Sequence, residues 1–222
     1  MNWNPVIFDI FPYVALTVAV GGTVFRWRAQ PFTVSALSSQ LLERRQLYWG
    51  SVAFHWGITI LLLAHLAVLI LPRGVERWNQ VPARLYALEI TGLALGLWTL
   101  VGLGILIFRR LSEPKVKAVT SSMDVVLLAV LALQVVTGLW VALGYRFGSQ
   151  WAPAIFVPYI RSLLSLQPRS DLVAALPWVL RLHAFGFFVL LALVPFSRLV
   201  HILSLPLGYL ARPWQIVLRV RP

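Results

Sequence analysis

Five stretches of this chain, roughly Val6 to Phe25, Tyr48 to Leu71, Leu85 to Phe108, Asp124 to Leu143 and Leu176 to Val200, are apolar over the length needed to cross a bilayer. A spanning helix takes about 20 such residues. Lipid offers backbone N–H and C=O groups no partner, so each run must close its own hydrogen bonds as a helix. The predicted fold is an all-α membrane protein: five transmembrane helices in one bundle, multi-pass in the cell (cytoplasmic) membrane. Composition agrees, because 59% hydrophobic and 12% charged side chains leave too little charge to cover a water-soluble surface of 222 residues. Residues 1–222 read as a single integral membrane domain whose tail starts at about 207. The opening Met1-Asn2-Trp3-Asn4-Pro5 carries no basic residue, and no small-residue cleavage site follows, so the first run is expected to be a retained helix.

The net charge of +12 does not form a continuous patch, so nucleic acid is not an expected partner. The basic residues instead sit in short loops and report topology. One side holds twelve of the 19 Lys and Arg, from Arg26, Arg28, Arg44 and Arg45 to Arg198 and the tail; the other holds six, including Arg73, Arg77 and Arg84; Arg181 falls within the last run. This bias predicts the amino terminus outside and the carboxyl terminus in the cytoplasm. Between the runs, Pro31 to Gln46 reads as a capped amphipathic helix on the cytoplasmic face. The outer loop Gly144 to Ala175 contains an apolar stretch, Ile155 to Leu166, which is broken by Pro158 and too short to cross, so it is expected to lie at the interface. Trp3, Trp27, Trp49, Trp78, Trp151 and Trp178 fall at the predicted interfaces as belt residues.

The chain has no cysteine, which removes disulfides, thiolate metal sites and iron–sulfur ligation. Its four histidines lie in or beside two spans, His55 and His65 in the second and His183 and His201 in the fifth. Ionisable groups within a span are costly and normally face a partner inside the bundle. His65 and His183 each lie about 10 Å from the outer end of their spans at a 1.5 Å rise, and His55 and His201 share the cytoplasmic half. Two His–His pairs are predicted, one above the other. Without thiols or a nearby carboxylate, facing imidazoles at matched depth suit axial ligation of haem iron, and hence electron transfer. The fit has a mismatch. His55 and His65 are about 15 Å apart, whereas a straight helix would put His183 and His201 about 27 Å apart, with a kink expected at Pro195. The alternative is that these histidines are bonded to backbone carbonyls, line a proton path or bind a substrate, with no haem.

Several segments resemble the gamma subunit, the membrane cytochrome b, of respiratory nitrate reductase. They are Phe8-Asp9-Ile10-Phe11-Pro12-Tyr13, Ser38-Ser39-Gln40, Phe54-His55 with His65, Arg109-Arg110-Leu111 with Pro114, Arg181-Leu182-His183, and Pro195-Phe196-Ser197-Arg198-Leu199-Val200-His201. The resemblance covers roughly Phe8 to Pro213. It implies a quinol-oxidising cytochrome with two b-type haems, in a complex with an iron–sulfur beta subunit and a molybdenum-containing alpha subunit. His65 and His183 would hold the outer haem, and His55 and His201 the inner one. The quinol site implied by the family falls at His65, Ala64 and Arg84. Two of these depart from the family pattern: Arg84 stands where a lysine is expected, and Ala64 where a glycine is expected before the outer histidine. An arginine's planar fork donates hydrogen bonds differently from a compact ammonium.

Quinol would then be oxidised at the outer face, its protons released there and its electrons passed inward through the two haems to the iron–sulfur partner. The docking surface is expected at Gln40 to Gln46 and Leu207 to Pro222. Glu89 can accept a quinol proton, against the plainer reading of a carboxylate at the interface or paired with Arg84. Asp124 reads as a helix cap. Arg181 suits either a haem propionate or the headgroups and the interfacial loop. A di-haem anchor of a different oxidoreductase, such as one reducing a sulfur compound, fits the same residues. No phosphate-binding glycine loop or Ser-His-Asp order supports hydrolysis or nucleotide binding.

Overall fold

A computed structural model describes residues 3–29 and 42–202, and among them there is helix but no strand. Five helices are long and apolar enough to cross a membrane: Val6–Ala29, Arg45–Ile70, Pro82–Ser112, Ser122–Gly144 and Trp178–Phe196. The first opens as a π-turn, Val6–Ile10, and continues as α1 (Phe11–Ala29). Then come α2 (Arg45–Ile70), the short α3 (Pro72–Asn79) and α4 (Pro82–Ser112). The one-turn α5 (Pro114–Ala118) leads to α6 (Ser122–Gly144), α7 (Gly148–Leu164), α8 (Asp171–Ala174) and α9 (Trp178–Leu193). Contacts set the directions of the spans: α2 lies on α4 through Gly50–Leu106 and Gly57–Thr99, α4 meets α6 through Arg110–Asp124, and the first span meets the last through Asn4–Arg181 and Arg26–Pro195, so successive spans run in opposite directions. One face of the bundle therefore gathers the start of α1, α3, α7 and α8, and the other gathers the end of α1, the start of α2, α5 and the residues after α9. These are the amino-terminal face and the basic face.

Local chemistry sets where elements start and bend. Pro12 has no N–H to give the carbonyl of Phe8, four residues back. The Tyr159 hydroxyl, from the middle of α7, donates to that carbonyl at 2.7 Å. Tyr159 is 1% exposed, and burial, helped by Asp9, pushes its hydroxyl pKa up. Tyr13 donates to the Leu163 carbonyl at 2.8 Å, and Asp9 accepts from the Ser170 N–H and hydroxyl at 2.8 and 2.7 Å. These bonds seat α7 and α8 on the start of α1 over a core of Phe8, Ala15, Tyr159, Leu163, Val173 and Phe188. The expected interfacial stretch thus becomes a helix that runs unbroken through Pro153 and Pro158. Trp3, Trp78 and Trp178 at one face, and Trp27 and Trp49 at the other, are exposed, as belt residues should be.

Two other expectations change. α2 begins at Arg45, so the end of the expected amphipathic helix belongs to the span; residues 31–41, with Ser38-Ser39-Gln40, and the tail 207–222 lie outside the described residues. Glu43 explains the early start, because its carboxylate accepts the Gln46 and Leu47 N–H groups at 2.8 and 3.2 Å and satisfies donors left open at a helix start. The last span does not merely kink. α9 ends at Leu193, Val194–Phe196 tightens into a 3-10 turn, Ser197 is extended (φ −121°, ψ −178°), and Arg198–Ile202 forms a second 3-10 turn.

The tightest packing lies between α2 and α4. A Cβ built on Gly102 would lie 2.5 Å from the Phe54 amide nitrogen, and one on Gly57 would run into the Thr99 hydroxyl. Small residues of this kind let helices approach in lipid, where no hydrophobic force drives them together. A second core, Leu103, Leu127, Leu131 and Val135, joins α4 to α6. α9 packs on α6 and α1, whereas α2 leans on α4 and α7 rather than on α9.

Candidate functional site

α2 and α9 face each other across the bundle, and histidines bridge the space between them. The rings of His65 and His183 have centroids 6.5 Å apart, and those of His55 and His201 lie 6.1 Å apart. The structure therefore brings the four histidines together in the pairs expected from depth. The predicted 27 Å separation of His183 and His201 assumed a continuous helix. With Ser197 extended between them, helical rise no longer relates the two positions.

Each imidazole is oriented through Nδ1. His55 Nδ1 lies 2.8 Å from the Ser51 carbonyl, His65 Nδ1 2.7 Å from the Leu61 carbonyl, and His201 Nδ1 2.5 Å from the Arg198 carbonyl. A carbonyl can only accept, so Nδ1 carries the proton and Nε2 is the unprotonated nitrogen. His183 reaches the same tautomer differently. Its Nδ1 is 3.1 Å from Thr137 Oγ1, whose own proton goes to the Leu133 carbonyl at 2.7 Å. Gln134 completes the setting, its amide donating to the His183 carbonyl at 3.1 Å and approaching Nε2 at 3.4 Å.

Two imidazole nitrogens that share one metal at about 2.0 Å each put their ring centroids about 6 Å apart. Both pairs meet that distance. Among the described residues no cluster of three or more His, Cys, Asp or Glu is available to complete a bare ion's shell. A donor set of two imidazole nitrogens suits a metal whose remaining ligands come with a macrocycle, as in haem. Hydrogen bonds from Nδ1 that fix the tautomer are those a metal-ligating histidine requires.

The other sequence candidates are placed less closely. Ala64 precedes His65 on α2, and Arg84 opens α4, its guanidinium 5.0 Å from the Trp78 ring centroid. Glu89 is half-buried one turn further along α4; among the described residues it makes no ion pair with Arg84. Arg181 turns toward the start of α1, donating to Asn4 Oδ1 at 3.3 Å, while its Nε–H is buried without a partner. Asp124 does cap α6, in a reciprocal capping box with Ser121, and it also accepts from Arg198 and Arg110. Sequence reasoning missed Gln134 and Thr137. The available signal was two polar side chains three residues apart, hence on one face, in an otherwise apolar span.

The family described as nitrate reductase gamma subunit matches residues 4–220. The chain is 30% identical over 219 residues to the nitrate reductase gamma chain of Bacillus subtilis, covering 95% of this chain and 96% of that one. It is 32% identical over 220 residues to the respiratory nitrate reductase 1 gamma chain of Escherichia coli, covering 96% of each. A nitrate reductase-like protein, NarX, of Mycobacterium tuberculosis is 34% identical over 215 residues, and this chain matches 33% of its length.

Proposed function

The chain belongs to the nitrate reductase gamma subunit family, and from that premise we propose that it is the quinol-oxidising cytochrome b of a respiratory nitrate reductase complex. His65 and His183 hold one b-type haem near the outer face, and His55 and His201 hold a second near the cytoplasmic face. When bound, the haems supply the one-electron chemistry that carries electrons from quinol toward an iron–sulfur beta subunit and a molybdenum-containing alpha subunit. Residues 1–222 act as one membrane domain, with the basic face toward the cytoplasm; the excess of Lys and Arg there supports this orientation.

The observation that carries the reading is the pair of His–His contacts, at 6.5 and 6.1 Å. The protein's own contribution is to orient and to exclude water. Carbonyls of Ser51, Leu61 and Arg198 and the hydroxyl of Thr137 hold each Nδ1 proton, which leaves Nε2 as the nitrogen that binds iron. The apolar flanks of both helices keep that space dry. Quinol binds beside His65 and Ala64 at the amino-terminal face, with Arg84 as the nearby donor, and Glu89 takes up a proton that leaves to the outer side. Protons left outside while electrons move inward make the reaction electrogenic, at about 2.3 kcal/mol per charge per 100 mV.

The test is a pyridine haemochrome assay on the complex purified from haem-replete membranes. Two b haems per chain are expected. His65→Ala or His183→Ala should remove one haem and stop quinol oxidation, and His55→Ala or His201→Ala should remove the other. A haem-free parent, or four variants that all keep both haems, refutes the assignment. Copurifying subunits other than an iron–sulfur protein and a molybdenum enzyme would instead support the reading as an anchor of a different oxidoreductase.

A further inference from the structure

Three other spans reach the segment that follows α9. From α1, the Arg26 guanidinium donates to the carbonyls of Pro195, in the 3-10 turn, and of Ser197, at the break, at 2.7 and 3.0 Å. One turn earlier on α1, Gly22 lies against the Pro195 ring, where a Cβ would come within 2.8 Å. From α6, the Asp124 carboxylate, 5% exposed, accepts Arg198 Nε at 2.7 Å and its terminal nitrogen at 3.2 Å. From α4, Arg110 reaches the same carboxylate at 3.0 Å. The Ser121 N–H also donates to it, so the carboxylate cannot swing away without breaking the α6 cap. Between these fastenings lies Arg198, whose carbonyl accepts the His201 Nδ1–H.

We infer that Arg26 and Asp124 are positioning residues: by holding the broken backbone after α9 from two sides, they set where His201 stands and how its ring faces His55. The backbone leading to His201 is a three-residue 3-10 turn, one extended residue and a five-residue 3-10 turn, with no regular α-helix to set the 62° between the His201 and His55 ring planes; side chains from neighbouring spans do so. The inference rests on His201 being a ligand of the inner haem.

The purified complex carries the test. Asp124→Asn keeps the size of the carboxylate and removes its charge, Gly22→Ala pushes Pro195 from the opposite side, and Asp124→Glu is the conservative rescue. The low-spin ferric EPR gmax reports the angle between axial imidazole planes, and His201→Ala identifies which signal is the inner haem's. Asp124→Asn and Gly22→Ala should shift or abolish the inner gmax and move that haem's midpoint potential, leave the outer haem unmoved, and Asp124→Glu should recover part of the shift. Unchanged inner signals in both variants, or equal shifts of both haems, overturn the inference. A parent without haem strikes the proposed function instead. The clamp is then read from spin labels at Trp56→Cys and Ile202→Cys, both exposed and clean to label in a chain with no native cysteine. Their distance distribution should broaden on adding Asp124→Asn, and an unbroadened distribution rejects the clamp.

Discussion

Gly102→Ala gives the sharpest probe of how α2 is placed. The added Cβ would lie 2.5 Å from the Phe54 amide nitrogen, 2.9 Å from the Gly50 carbonyl oxygen and 3.0 Å from the Ala53 carbonyl carbon, all backbone atoms that cannot rotate aside. Ordinary contact begins near 3.4 Å, so α2 must retreat from α4 by about 0.9 Å. Overpacking of this kind costs about 1–3 kcal/mol. Gly104, two residues along the same helix, has no heavy atom within 4 Å of its Cβ position. Gly104→Ala should therefore gain about 0.5–1 kcal/mol from lower backbone entropy and better helix propensity. Tryptophan fluorescence followed through an SDS titration from mild detergent measures both variants against the parent. Gly102→Ala should unfold earlier and Gly104→Ala at the same point or later. Equal midpoints for the two would refute the claim that α2 and α4 touch backbone to backbone at this level. Because Phe54 adjoins His55, the same displacement should disturb the His55–His201 pair before the His65–His183 pair.

Thr137→Val keeps the shape of the side chain and removes the acceptor of the His183 Nδ1–H. Leaving that donor buried should cost about 1–3 kcal/mol in an SDS unfolding titration, and haem titration should show 10–100-fold weaker outer-site affinity, about the usual penalty for a lost second-shell partner. Tyr159→Phe strands the Phe8 carbonyl beneath α7, and the same titration should show a loss of about 1–2 kcal/mol with the helix content unchanged by circular dichroism. Glu43 gives a pH dependence. Desolvation raises its pKa, but the Gln46 N–H, Arg109 and the Leu47 N–H outweigh that and hold it below its ordinary 4.5. A folded value below the unfolded one means that its contribution is complete above about pH 4.5 and fades as pH falls through the folded value. The stability gap between the parent and Glu43→Gln should accordingly close in acid, and a gap that is constant down to pH 3 would show that the carboxylate's charge is not what ties α2 to Arg109.

Element by element, legibility followed how local the cause was. The five spans were readable because lipid turns each apolar run into a helix whatever its neighbours do. The histidine pairs were readable because depth in a bilayer is a coordinate that sequence position nearly fixes. The path from His183 to His201 was not, since helical rise applies only while the helix lasts. The break at Ser197 is held by Arg26 and Asp124, which are distant in sequence. For the same reason Pro158 suggested a break that α7 does not make: tertiary bonds to the start of α1 hold the helix together. Gln134 and Thr137 were legible as polar residues in a span, but what they face is decided by the α6–α9 packing.

The Nδ1 contacts also bear on the reading in which these histidines conduct protons without haem. A relay through imidazole needs both ring nitrogens in exchange with groups that can give up and take back a proton. Here three of the four Nδ1–H groups point to backbone carbonyls of their own turn, which accept a hydrogen bond but cannot pass a proton on; His55 Nδ1 also has the Ser51 hydroxyl at 3.1 Å. The fourth ends on Thr137, whose proton is committed to the Leu133 carbonyl. Each ring is thus anchored at Nδ1, an arrangement that suits a ligand better than a relay. A conducting column would also need groups bridging the two pairs, and His55 and His65 stand about 15 Å apart along α2. Along α2 between them, Ile58 and Leu62 on that face are apolar, and Thr59, one turn after His55, supplies the single hydroxyl. A proton relay would need more than that one hydroxyl to cross about 15 Å.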